Sequence, residues 1–165
     1  MKTAHSGVHV AKAGIVAAPL VLIVEDDIAI RTLMVAALKR EPIEVHTASD
    51  GIAALECVRA NDYAVILLDL MMPRLDGYEF LESLDVVRPG AQPVIIVMTA
   101  FESGSLRKLP PNRVHAVLHK PFDVERVVEL VRDCAFVRGA EREAAGVENA
   151  IPLPEHTGDE EAPVC

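Results

Sequence analysis

Short, uninterrupted runs of aliphatic residues constrain the fold of this chain more than any other feature. Leu20–Val24, Val65–Leu68 and Val94–Met98 contain no polar residue. A run of four or five apolar residues matches a β-strand that is buried on both faces, and it is too short to cross a bilayer as a helix. Because such strands are typical of parallel sheets covered by helices, the runs predict an α/β protein.

The segments between these runs carry the spacing of amphipathic helices. From Ile30 to Leu38, apolar residues recur at i, i+3, i+4, i+7 and i+8, which is the stripe that one helix face presents to a core. Similar patterns predict helices over Asp50–Val58, from Gly77 to Leu84 and from Val124 to Val131, with Asp50 and Asp123 as N-caps. Weaker strand patterns occupy Ile43–Thr47 and Ala116–His119. This alternation predicts a parallel sheet of five strands.

Polar side chains follow four of the predicted strands at the point where each strand ends. They are Glu25, Asp26 and Asp27 after the first strand, Asp69 after the third, Thr99 after the fourth and Lys120 after the fifth. Because the carboxyl ends of parallel strands meet at one edge of the sheet, these groups are expected to share a crevice. Clustered carboxylates repel one another unless a cation compensates, and Mg²⁺ prefers such oxygen ligands. Asp69 is then placed to attack phosphorus, with Lys120 as a point charge for a phosphoryl oxygen.

Each of these residues, taken singly, has an ordinary structural explanation. Asp27 directly precedes a predicted helix and is expected to cap it. Thr99 is a common strand residue, and a single Lys120 would be interpreted as a solvated side chain. It is their combination at the strand ends that favours phosphoryl-transfer chemistry.

Charge and cysteine content indicate which classes of partner and which cellular compartment to expect. The chain has a net charge of −9 and no cluster of Lys and Arg, which argues against direct nucleic-acid binding. The apolar run from Ala13 to Val24 continues into Glu25 without a convincing cleavage site, so it is interpreted as a strand entering a domain. Cys57, Cys134 and Cys165 lie far apart, which favours a reduced, cytoplasmic protein.

Four segments resemble the signature segments of response-regulator receiver domains, the family that includes the chemotaxis response regulator. They are VLIVEDD, VILLDLMMPRLDGYEFL, VIIVMTA and HKPF, in the family's order and near its spacing, within residues 19–138. A lone acidic pair would be a weak signal, whereas four segments in register are specific. The resemblance implies a doubly wound, flavodoxin-like sheet. It also implies a domain that is not an enzyme beyond catalysing its own phosphorylation and dephosphorylation.

The resemblance implies a magnesium site as well. Glu25 and Asp26 correspond to the acidic pair that holds Mg²⁺, Asp26 directly and Glu25 through water. The carboxylate of Asp69 and the backbone carbonyl of Met71 are the further metal ligands that the family pattern implies. Mg²⁺ is thus the expected cofactor.

The same resemblance assigns roles in phosphoryl transfer. Asp69 is the expected phosphoacceptor, and Thr99 is expected to contact the phosphoryl group. Lys120 is expected to pair with the phosphoryl oxygens, and Pro121 to follow a cis peptide bond. The implied partners are a histidine kinase or a histidine phosphotransfer protein and a downstream protein, with no nucleic acid and no membrane.

The chain departs from the family pattern at two places. Val117 occupies the position, three residues before Lys120, where receivers typically carry an aromatic ring that moves on phosphorylation. Between Thr99 and Lys120 the family has a full amphipathic helix, but here Pro110 and Pro111 end any helix early. A degenerate fourth helix and a reshaped output face are therefore expected.

The ends of the chain are expected to carry no further domain. Residues 1–18 are interpreted as a flexible leader, residues 19–138 as the receiver domain, and residues 139–165 as an acidic, proline-containing tail. The leading hypothesis is therefore a stand-alone receiver. One alternative is a pseudo-receiver that binds partners without phosphorylation, which Val117 favours. Another is an aspartate-based phosphohydrolase, which the missing DxD motif disfavours.

Overall fold

The structure, a computed structural model, describes residues 17–100, 109–110 and 112–144 of the 165-residue chain. Along these residues the strands are β1 (Leu20–Val24), β2 (Glu44–Ala48), β3 (Val65–Asp69), β4 (Val94–Thr99) and β5 (Val114–His119). The helices are α1 (Ile28–Leu38), α2 (Gly51–Ala60), α3 (Gly77–Val87) and α4 (Val124–Ala144). Each corresponds to an element that the sequence predicts.

The strands form one parallel sheet in the order β2-β1-β3-β4-β5. The predicted five-stranded parallel sheet is therefore confirmed. The predicted bounds of β1 match the structure, whereas the other strands differ by one or two residues. Both β3 and β4 are one residue longer than predicted, so Asp69 and Thr99 are the last residues of their strands.

Helices cover both faces of the sheet, as the doubly wound prediction requires. Alternate residues of β1 and β3 enter two separate apolar clusters. Leu22 and Leu68 lie in the cluster beneath α2 and α3, while Ile23 and Leu67 lie in the cluster beneath α1 and α4. Because every residue of β3 and all but the first residue of β1 are buried, the sequence shows continuous apolar runs rather than alternation.

Aspartates begin the helices at the carboxyl edge of the sheet. Asp27 caps α1, Asp50 caps α2 and Asp123 accepts hydrogen bonds from the first turn of α4. Asp76 caps α3 in a reciprocal capping box with Glu79. Backbone N–H groups of Ile30 and Ala29 that donate to Asp27 lower the pKa of its carboxyl. The predicted caps are thus confirmed for α1, α2 and α4.

The last helix runs past residue 138, where the sequence analysis places the end of the receiver domain. It continues to Ala144, so the first residues assigned to the tail are helical. Arg138 pairs with Glu141 one turn later at 2.8 Å and also donates to the backbone carbonyl of Gln92. These contacts attach the end of α4 to the segment that leads into β4.

Three other sequence predictions bear on parts of the chain beyond the sheet. The degenerate fourth helix falls mostly on residues 101–108 and 111, which lie outside the described residues, as do residues 1–16 and 145–165. Cys57 is buried in α2 and Cys134 is a free thiol, whereas Cys165 lies outside the described residues. No helix among the described residues is long and apolar enough to cross a membrane.

Candidate functional site

The most apolar strand of the sheet ends in a carboxylate. Four fully buried residues of β3 precede Asp69, which is itself only 4% exposed. Its Oδ1 accepts a hydrogen bond from the backbone N–H of Met71 at 3.0 Å, and its Oδ2 lies 2.6 Å from Lys120 Nζ. These partners offset the cost of burying a carboxylate at the strand end.

The loop after β1 brings a second and a third carboxylate to the same edge. Glu25 is fully buried and its backbone N–H donates to the carbonyl of Ala48, which extends the ladder between β1 and β2. Asp26 is exposed, as expected for a group that faces solvent or an ion. Arg31 on α1 donates to the backbone carbonyls of Glu25 and Asp26 at 2.6 and 3.2 Å, which holds the loop against the helix.

Lys120 supplies the one ammonium group among the described residues of this cluster. Its Nζ lies 2.8 and 3.1 Å from the two carboxylate oxygens of Glu25 and 2.6 Å from Asp69. Its backbone N–H donates to the carbonyl of Thr99 at 2.8 Å, which ties the end of β5 to the end of β4. The peptide bond between Lys120 and Pro121 is cis, as the resemblance predicts.

Burial and charge oppose each other in setting the protonation of this cluster. The pKa of Glu25 is raised to about 6, chiefly by burial and also by the negative charge of Asp69, against the lowering effect of the hydrogen bond from Lys120. Burial alone would lower the pKa of Lys120, but its hydrogen bonds to Asp69 and Glu25 outweigh that effect and raise it. Lys120 therefore remains an ammonium at neutral pH.

Carboxylate oxygens of Glu25, Asp26 and Asp69 lie within 4.8 Å of one another. Carboxylate oxygens are the ligands that Mg²⁺ prefers, and the ion is usually bound by one or two carboxylates while it keeps several waters. The cluster holds three carboxylates and one ammonium, which leaves an excess of negative charge. The donor set and the charge both fit a hard divalent cation, and the carbonyl of Met71 follows Asp69 closely enough in sequence to join it.

Thr99 and Val117 occupy the neighbouring strands β4 and β5. Thr99 is fully buried at the carboxyl end of β4, adjacent to the strand that ends in Asp69. Val117 is partly buried and packs against the apolar cluster beneath α2 and α3. The predicted residues at the ends of β1, β3, β4 and β5 thus lie at one edge of the sheet, and only Asp27 turns away to cap α1.

Two arginines near the site were not identified from the sequence. Arg31 holds the acidic loop, and Arg74 in the loop after β3 pairs with the buried carboxylate of Asp50. Arg31 lies on a helix face with no pattern that distinguishes it from a solvated arginine. Arg74 follows Pro73, and no sequence signal predicts its left-handed backbone, with φ of 70°.

A family model of the response regulator receiver domain matches residues 21–132, more than half of the chain. Among curated proteins, the transcriptional regulatory protein SrrA of Staphylococcus aureus is 42% identical over 122 residues, which cover 68% of this chain and 46% of SrrA. The chain therefore spans about half the length of the curated relatives it matches.

Solved structures share both the fold and detectable sequence similarity. The receiver domain of the Francisella response regulator 1452 is 28% identical, with a TM-score of 0.65 over 72% of this chain and 98% of that one. The receiver domain of a sensor histidine kinase from Pseudomonas aeruginosa is 26% identical, with a TM-score of 0.64 over 73% of this chain and 99% of that one. The latter structure has a magnesium ion coordinated in its active-site cleft.

Proposed function

The chain belongs to the response regulator receiver domain family, and from this membership we propose that Asp69 is phosphorylated in a Mg²⁺-dependent reaction. The phosphodonor is a histidine kinase or a phosphorelay protein. The observation that carries the proposal is the pairing of Lys120 with Asp69 at 2.6 Å beside two further carboxylates. A nucleophile, a cation for the phosphoryl oxygens and a set of metal ligands thus lie together.

The reaction is an in-line displacement at phosphorus. An oxygen of the Asp69 carboxylate forms the new P–O bond while the P–N bond of the donor's phosphohistidine breaks. The electron pair of the P–N bond returns to the imidazole nitrogen, which leaves as part of a histidine side chain. In the reverse half of the cycle, water attacks phosphorus, Asp69 leaves as a carboxylate, and inorganic phosphate is released.

The residues of the cluster bind the phosphoryl group and the metal ion. The ammonium of Lys120 pairs with a phosphoryl oxygen, and the hydroxyl of Thr99 donates to another. Asp26, Asp69 and the carbonyl of Met71 would hold Mg²⁺, with Glu25 acting through water. When bound, the ion would neutralise charge on the phosphoryl oxygens, which is the main requirement of phosphoryl transfer.

A small acyl phosphate donor tests the proposal directly. Incubation with acetyl phosphate and Mg²⁺ is expected to add the mass of one phosphoryl group, measured on the intact protein by mass spectrometry. Omission of Mg²⁺ or the substitution Asp69→Asn abolishes the addition, whereas Asp85→Asn, at an exposed aspartate of α3, does not. An unmodified wild-type chain beside a competent receiver domain would refute the proposal.

The same phosphoryl-transfer chemistry predicts the partners of this chain. Receiver domains interact with histidine kinases or phosphotransfer proteins, and we propose that this chain does so in the cytoplasm and passes its state to a downstream protein. SrrA, by its name, is a transcriptional regulatory protein, but this chain spans 46% of it, and output through a separate partner stays a prediction.

A second candidate function is a pseudo-receiver that binds its partner without phosphorylation. Val117 favours it, because a valine packed against the core cannot report phosphorylation by burying an aromatic ring. Pull-down from a lysate with and without acetyl phosphate separates the two functions. A receiver that switches changes its set of partners on phosphorylation, whereas a pseudo-receiver captures the same set in both states.

A further inference from the structure

The loop between β3 and α3 contains a strained arginine. Arg74 has φ of 70°, in the left-handed region that residues other than glycine rarely adopt. Such a conformation costs on the order of 1–3 kcal/mol and persists only where surrounding contacts impose it. A glycine at this position would adopt the same backbone without that cost.

The contact that accompanies this conformation is an ion pair with a buried carboxylate. Arg74 Nη2 contacts Oδ2 of Asp50, whose side chain is 1% exposed. The other oxygen of Asp50 accepts from the backbone N–H groups of Ile52 and Ala53, so the carboxylate also caps α2. Arg74 is therefore attached to a fixed point at the start of a helix.

Backbone hydrogen bonds attach the same loop on either side of Arg74. The N–H of Gly51 donates to the carbonyl of Leu75 at 3.1 Å, and a Cβ on Gly51 would lie 2.5 Å from that oxygen. At the two ends of the loop, Met71 N–H donates to Asp69 and Gly77 N–H donates to the carbonyl of Leu70. Met71 thus lies on a short segment that is held at both ends.

We propose that Arg74 is a positioning residue for the metal site: its ion pair with Asp50 clamps the loop so that the carbonyl of Met71 faces the acidic cluster. The inference rests on the proposed function, because it concerns the affinity of the same site for its divalent cation. Arg74 itself touches neither the ion nor the phosphoryl group. It acts by fixing the path of the two residues between itself and Met71.

Electrostatics and positioning predict opposite results when Arg74 is replaced. Removal of a positive charge from a chain of net charge −9 strengthens cation binding if charge alone matters. Loss of a group that orients a metal ligand instead weakens it, typically by about 10- to 100-fold. We expect Arg74→Gly to weaken binding by about tenfold, at the lower end of that range, because Gly51 still holds Leu75.

Titration of the full chain with Mn²⁺, followed by the EPR signal of the free ion and competed with Mg²⁺, measures this affinity. Arg74→Gly is the main variant because it removes the ion pair and relieves the backbone. Arg74→Lys keeps a charge for Asp50 and is expected to restore part of the affinity. Arg59→Ala removes an exposed positive charge at the other end of α2 and serves as the control.

A double-mutant cycle identifies the partner. Asp50→Asn keeps a good helix N-cap but removes the charge that Arg74 contacts. If the pair acts as a clamp, Asp50→Asn and Arg74→Gly weaken Mn²⁺ binding to a similar degree, and the double variant is no weaker than either.

Three results would overturn the proposal. The first is an Arg74→Gly variant that binds Mn²⁺ as tightly as the wild type or more tightly. The two single substitutions could add fully in the double variant. Metal-free stability, followed by circular dichroism, could fall while the dissociation constant stays the same, which would give Arg74 a structural role only. A wild-type chain that binds no Mn²⁺ would instead refute the metal site, and the inference with it.

Discussion

Lys120→Met tests whether the site is held together by charge. Lys120 Nζ lies 2.6–3.1 Å from oxygens of Asp69 and Glu25, whose side chains are 5% and 0% exposed. At an effective dielectric constant of about 20, each pair at about 3 Å has a gross attraction of roughly 5 kcal/mol, much of which desolvation offsets. Removal of one partner of a buried pair costs about 3–5 kcal/mol, because the remaining charge stays buried and unpaired.

Proton uptake and Mg²⁺ binding should both reduce this loss. The pKa of Glu25 is already raised to about 6, so a site without Lys120 accepts a proton readily near that pH. We therefore expect the full loss of about 3–5 kcal/mol at about pH 8 in EDTA, and a smaller loss at about pH 5.5. Excess Mg²⁺ at about pH 8 should also reduce the loss, because the ion replaces the missing positive charge.

Urea denaturation followed by circular dichroism measures the free energy of unfolding under the three conditions. In EDTA at about pH 8, the midpoint of thermal unfolding should fall by roughly 10–20 °C. Lys39→Met is the matched control, because Lys39 is an exposed lysine at the end of α1 and its loss should change stability by less than about 0.5 kcal/mol. Equal losses for Lys120→Met under all three conditions would refute the electrostatic account of the site.

Three further predictions concern the same edge of the sheet. Asp26→Asn removes one charge from a cluster with excess negative charge, so the midpoint of thermal unfolding without metal should rise. The further rise in this midpoint on adding Mg²⁺ should become smaller, and an unchanged rise would exclude Asp26 as a ligand. Burial raises the pKa of Glu25 from 4.5 to about 6, so the folded state binds a proton more tightly and stability in EDTA falls as the pH rises through that window. Glu25→Gln removes this decline. The free energy of unfolding of the variant, relative to that of the wild type, should therefore increase by about 2 kcal/mol between about pH 4 and pH 7, as measured by urea denaturation. Parallel pH profiles of the two proteins would contradict the raised pKa of Glu25. Gly77→Ala places a Cβ 2.5 Å from the carbonyl oxygen of Asp69 and should lower the free energy of unfolding by about 1–3 kcal/mol. Gly139→Ala, in open space on α4, should instead stabilise the protein by up to about 1 kcal/mol in the same thermal scans. Destabilisation by both variants would contradict the steric explanation for Gly77.

The central strands of the sheet could be predicted because they are buried on both faces. A continuous apolar run has few alternative structures when turn residues bound it, so β1 and β3 are evident in the sequence. Residue type also predicts the site, because Asp69 ends the apolar run of β3 and Lys120 directly follows β5. The rule that parallel strands share a carboxyl edge then brings them together.

Features that depend on contact with a single residue far away in the sequence could not be predicted in this way. The end of α4 is an example, because its sequence is charged and alanine-rich and was interpreted as a tail. Its helix continues beside the contact of Arg138 with the carbonyl of Gln92, 46 residues earlier in the chain. The left-handed backbone of Arg74 is another example, since its contact with Asp50 lies 24 residues away and no local rule favours arginine there.

The charge of the cluster explains why metal binding and phosphorylation should depend on each other. Three carboxylates and one ammonium leave two negative charges, which one Mg²⁺ balances. A phosphoryl group on Asp69 replaces a single negative charge by about two, so the phosphorylated site needs the ion more than the unphosphorylated one. By linkage, Mg²⁺ then favours the phosphorylated state by the same factor by which phosphorylation tightens Mg²⁺ binding. Lys120 contributes to both states. It pairs with Glu25 and Asp69 in the unphosphorylated site, and it must release one of them before it can pair with a phosphoryl oxygen.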